Sequence, residues 1–303
     1  MTRKTYLLLS LGLPCVLLNS SCAALTPSDA FGPGRQVAII RSDLIREASG
    51  IVASRRNPGV LWVHNDSGDS ARIFALSAKG AFLGVCTIAG AAARDWEDIA
   101  VGPGPEPNEQ YLYIGDIGDN RARYPDVTVY RVREPRVGAA APFGTMSAGP
   151  ADAIKLTYPD GPRDAETLLV DPLTRDIYLI SKREMFSKVY RAAWPQSTTK
   201  PNRMQRVAVL PWGAAVAGDV SSDGQRVIVR GIFGASIWTR PIDKPLWHAF
   251  SGKQAGLRLM PERQGEGICF DRQGGGYFTI GEMHHPPLHY FGPAEPNAPQ
   301  ADR

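Results

Sequence analysis

Five acidic residues recur at the head of short apolar runs: Glu47 in EASGIV, Glu97 in WEDIAV, Glu166 in AETLLV, Asp219 in GDVS and Glu266 in GEGICF, at intervals of 50, 69, 53 and 47 residues. Carboxylates gathered at one place bind a hard cation through oxygen, hold a proton at a raised pKa, or pair with Lys and Arg. The first two units also share a spacing. Glu47 lies 19 residues before Asp66 and 22 before Asp69, and Glu97 lies 19 before Asp116 and 22 before Asp119. The candidate metal ligands are therefore Glu47, Asp66, Glu97, Glu166, Asp219 and Glu266, with calcium or magnesium as the ion. Lys182, Arg183 and Arg230 offer the competing means of neutralisation.

Such groups meet only if the elements carrying them repeat in space. Aromatic and β-branched runs such as Val60–Val63, Tyr111–Ile114, Ile177–Ile180 and Arg226–Val229 are separated by Gly, Pro, Asn and Asp clusters, the pattern of an all-β chain. A period near fifty residues with four strands per unit is the size of a propeller blade. The expected fold is thus an all-β, five-bladed β-propeller, with six blades as the alternative if the long second interval hides a divergent blade. Gly138 to Asp152 and Pro103 to Asn108 read as turn-rich insertions. Gln36 to Ile40 precedes the first unit and is expected to supply the missing fourth strand after Leu288–Phe291, closing the ring and removing two open edges. An open β-sandwich accommodates the period badly.

Successive strands of a blade are antiparallel, so the start of the first and the end of the second share one face. That face gathers the acids with His64–Asp69, Gly115–Asn120, Ser181–Glu184, Arg230 and Glu282–His285. Candidate ligand-binding residues there are Asn65, Trp96, Asp116, Lys182, Arg230 and Glu282. Glu97, Glu166 and His64 are the candidates for proton transfer. A turn role competes for Asp69, Asp119 and Asn120, because Asp and Asn near Gly are turn residues. For Trp96, a wedge between blades competes with a stacking surface. His284, His285 and His289 are interrupted by Pro286 and Pro287, so no helical metal motif forms. No G-x-S-x-G, H-E-x-x-H, phosphate loop or dinucleotide fingerprint occurs.

The N-terminus reads as an address. Arg3 and Lys4 precede an apolar run from Tyr6 to Leu18, followed by small residues around Cys22. The expected division is a signal peptide over 1–24, a linker over 25–35, the propeller over 36–292 and a disordered tail over 293–303. Cys22 after Ser20–Ser21 is a candidate lipid anchor, with plain cleavage near Ala23 or Ala24 as the alternative. Export to the periplasm or cell surface follows, with no transmembrane segment and a monomer expected. Cys86 and Cys269 are expected as buried free thiols, a bridge between them being the alternative. The net charge of +4 is scattered along the chain, which argues against nucleic acid as a partner.

HNDSGD, DWEDIA, GDIGDN and YPDGPRDAETLLVD together resemble a group of exported bacterial propeller proteins, some described as phytase-like or as lipoproteins. The likeness spans about residues 40 to 290. In arrangement the chain also resembles the six-bladed calcium-dependent lactonase and gluconolactonase propellers. That resemblance implies metal ligands at the channel mouth and makes the strand-opening acids candidate ligands or acid–base groups. The expected function is binding of a cation and a small polar ligand, with ester or phosphoester hydrolysis. A non-enzymatic binding or scaffold propeller is one alternative. Glycoside hydrolysis is another, needing two carboxyls about 5–9.5 Å apart.

Overall fold

A sheet covered on both faces needs strands that are apolar on both sides. The computed structural model, which describes residues 28–138 and 142–295, shows this for the inner strands β2 (Ala48–Ala53), β11 (Ala165–Val170) and β16 (Ala215–Val220), buried at every position. The signal segment 1–24, Cys22 and residues 296–303 lie outside the described residues.

Five sheets form the ring. Blade 1 holds β2, β3 (Val60–Asn65), β4 (Arg72–Ser77) and β5 (Phe82–Ala89). Blade 2 holds β6 (Trp96–Pro103), β7 (Gln110–Asp116), β8 (Val127–Arg133) and β10 (Asp152–Thr157). Blade 3 holds β11, β12 (Ile177–Ser181), β13 (Lys188–Ala192) and β15 (Gln205–Val209), and blade 4 holds β16, β17 (Arg226–Gly231), β18 (Gly234–Thr239) and β19 (Ala255–Leu257). Blade 5 holds β20 (Gly265–Phe270), β21 (Tyr277–Gly281) and β22 (Pro287–Pro293), and is completed by β1 (Phe31–Ile39). β1 pairs antiparallel with β22, setting Gln36 opposite His289 and Ala38 opposite Leu288. The closing strand starts inside the stretch expected as linker because Phe31 is buried edge-on against Tyr277, which in turn stacks on Phe291.

The long second interval holds no sixth blade. The Gly138–Asp152 stretch, expected as a loop, contains β9 (Gly144–Pro150), which turns back and adds a parallel fifth strand to blade 1 beside β5. Gly84 permits this approach: a Cβ there would collide with the Phe143 ring and the Gly144 carbonyl. The short β14 (Asn202–Arg203) extends blade 2 in the same way, pairing parallel with β10.

The core lies between blades. Leu168 enters a cluster with Tyr113 and Ile154 of blade 2, while its neighbour Leu169 enters one with Val227 and Trp238 of blade 4. Alternate residues of a strand thus serve opposite neighbours, each large side chain contributing about 1.5–3 kcal/mol on burial. Cys86 and Cys269 are buried free thiols in two different clefts. Among the described residues no helix is long and apolar enough to cross a membrane.

Candidate cation site at the channel mouth

Each inner strand pairs irregularly with its neighbour at the same place, its first residues: between Ala48 and Ile51, Trp96 and Asp98, Ala165 and Thr167, Ala215 and Ala217, and Gly265 and Gly267. A bulge leaves one residue out of the ladder and re-aims its side chain. In blades 2, 3 and 5 that residue is Glu97, Glu166 and Glu266. Ser49 and Val216 hold the same station in blades 1 and 4.

The register differs from the expected one. Two residues before the bulge stand Glu47, Asp95, Asp164, Ala214 and Gln264, whose carbonyls accept the N–H of Asp66, Gly118, Lys182, Ile232 and Glu282. Glu47 therefore corresponds to Asp95, and the shared 19- and 22-residue offsets pair positions that are not equivalent. Asp219 lies towards the far end of β16 rather than at the mouth, opposite Ile228. Its carboxylate accepts the Val220 and Phe270 amides, and burial pushes its pKa up to about 6.

Asp66, Asp95 and Glu97 bring carboxylate oxygens within 4.8 Å of one another, as do Glu97, Asp164 and Glu166. Glu97 belongs to both groups and is 5% exposed. Lys182 pairs with Glu166, and Arg183 with Asp164 at 2.6 Å. Among the described residues no ion pair or side-chain hydrogen-bond donor reaches the carboxylates of Asp66, Asp95 or Glu97. Two unit charges at that separation repel by roughly 3 kcal/mol at the effective dielectric of a partly solvated site. Burial, then the Glu166 charge, pushes Glu97 well above the usual carboxylate range. Burial likewise raises Asp66, Glu166 and Glu266, and takes Asp95 up to about 6. Gly118 leaves the space these groups occupy, since a Cβ there would meet Glu97 Oε1 and Asp95 Oδ2.

Several expected site residues act one layer out. Asn65 accepts the Arg46 and Glu47 amides and donates to the Leu44 carbonyl and Asp69. Asp116 accepts the Asp95 amide at 2.8 Å, fixing the same turn in blade 2. Trp96 is wedged between blades, its indole N–H donated to the Ala92 carbonyl. His64 is fully buried edge-on against Trp96, with burial lowering its pKa to about 4, so it is a packing residue rather than a base at the mouth. Arg230 is buried against Glu262 at 2.6 Å and donates to the Gly267 carbonyl behind Glu266. Glu282 stands at the rim, accepting from Gln264. Asp69 pairs with Arg72 and Asp119 accepts the Arg123 and Tyr124 amides, the turn roles weighed for them.

Sequence reasoning passed over Asp95, Asp164 and Asp98. The first two carry a signal: Arg94-Asp95-Trp96-Glu97 and Arg163-Asp164-Ala165-Glu166 share an R-D-x-E pattern, echoed by Arg263-Gln264-Gly265-Glu266 and Arg46-Glu47-Ala48-Ser49. Asp98 is fully buried, and its carboxylate accepts the amides of Ile99, Leu168 and Gly218 from blades 2, 3 and 4. Comparison of the chain with protein-family models and with curated proteins finds no match, so its own residues carry the functional reading.

Proposed function

We propose that this chain is an exported propeller that holds a hard divalent cation, calcium or magnesium, at the channel mouth and uses it to bind a small polar ligand, hydrolysing an ester or phosphoester of it. Asp66, Asp95 and Glu97 supply oxygen ligands, with Asp164 completing the set from blade 3. The observation that carries the reading is Glu97: buried, unpaired, and shared between two carboxylate groups, it needs either a proton or a cation. A bound cation would polarise the scissile group and lower the pKa of a water. Glu166, raised by burial yet paired with Lys182, is the group placed to give and take a proton. The likeness in arrangement to calcium-dependent lactonase propellers supports the ion. The N-terminal address supports export, with Cys22 as the proposed anchor.

Calcium titration of the chelator-treated protein, read by melting temperature and metal analysis, tests this. A bound ion and a stabilising shift are expected; no ion and no shift overturn it. Binding without turnover is the second reading. It is favoured by Ser49, the hydroxyl at the equivalent bulge, which donates to the Glu97 carbonyl instead of standing beside a base.

A further inference from the structure

A second cluster lies outside the mouth, where the ring is closed. Asp43 is in the loop that leaves β1 for blade 1, and His284 and His285 are in the loop joining β21 to β22. His285 Nε2 lies 3.2 Å from Asp43 Oδ1 and His284 Nε2 lies 3.3 Å from the same oxygen. The two rings sit one over the other, with centroids 3.9 Å apart. Consecutive side chains on extended backbone point to opposite sides. Here His285 has φ 54, a left-handed conformation that turns both imidazoles to one side before Pro286 and Pro287 stiffen the chain.

These separations exceed those of a good charge-assisted hydrogen bond, about 2.7–2.9 Å. They match the roughly 3.3–3.4 Å between neighbouring ligands of a tetrahedral ion with bonds of about 2.0–2.1 Å. Two imidazoles and one carboxylate suit zinc, copper or nickel, not the hard cations of an all-oxygen mouth. The loops are already held together by the Ile40 amide donating to the Pro286 carbonyl at 2.9 Å, and Arg46 donates to the Asp43 carbonyl. We propose that Asp43, His284 and His285 bind a divalent transition-metal ion of the zinc and copper class, which clasps the first strand to the last blade. The ion joins residues 242 positions apart, and opening the ring at this seam requires its release.

Zinc and copper titrations of the untagged, chelator-treated chain test the clasp. The chain has five histidines; His64 and His289 are buried and His248 is stacked on Trp247, so the pair at 284 and 285 dominates the copper spectrum. One ion per chain is expected, with electron-paramagnetic-resonance coupling to two nitrogens. Zinc at a hundredfold excess over its dissociation constant should raise the melting temperature by about 5 °C or more. H284Q/H285Q should weaken zinc binding at least tenfold and abolish that shift while leaving any calcium response intact, and E97Q should leave the zinc response intact. Equal zinc binding by wild type and H284Q/H285Q, coupling to fewer than two nitrogens, or binding without a melting shift overturns the clasp. None of these outcomes touches the mouth, whose own test uses calcium.

Discussion

At the residue scale, the mouth is defined by carboxylates that no ion pair among the described residues neutralises, Glu97 the most buried of them. E97Q keeps the shape of Glu97 and removes its charge. In the absence of calcium it should melt a few degrees higher than wild type, about 1–2 kcal/mol of relieved repulsion at about 2–4 °C per kcal/mol, and it should lose the calcium-dependent shift. The acids at the mouth also set a pH dependence. A carboxyl whose pKa is higher folded than unfolded stabilises the fold fully below its unfolded value near 4, and that contribution is lost as pH rises through the folded value. Asp95, raised to about 6, places its part of the loss between about pH 4 and pH 6, and Glu97, raised by burial, adds to it as pH climbs through its own folded value. Melting curves with chelator should therefore fall across that window, while curves with calcium fall less. The gap between them should widen with pH.

At the scale of the element, what positions the site is the bulge at the head of each inner strand together with the loop that closes over it. G118A places a methyl group against Glu97 and Asp95 without forcing the backbone. Calcium affinity should drop tenfold or more by calorimetry, with global stability changed by only about 1 kcal/mol. The blades themselves were legible in the sequence, since runs such as Val60–Val63 and Ile177–Ile180 are apolar on both faces and recur near fifty residues. Closure was legible through Gln36–Ile40, because a blade short of one strand needs a partner. The register of the site was not. Glu47 and Glu97 head similar runs, but Glu47 stands two residues before the bulge of its strand and Glu97 at the bulge itself, and a bulge leaves no mark in composition. Only the position of the preceding arginine, Arg46 or Arg94, keeps the true alignment. Asp98 was hidden for another reason: its partners are backbone amides of other blades, and amides have no sequence signature.

At the scale of the whole molecule, the ring depends on β1. A chain beginning at residue 41 lacks that strand, exposing the edge of β22 and the apolar ring of Phe291. It should melt lower by 10 °C or more and self-associate through the open edge, as light scattering coupled to size exclusion would show. A monomer with unchanged melting would contradict the closure energetics. Asp98 has a different global effect. Its carboxylate is bonded to the amides of three blades, with burial holding its pKa well above the normal carboxylate range. One side chain thus bolts three of the five inner strands to a single point, so loosening it frees three blades at once.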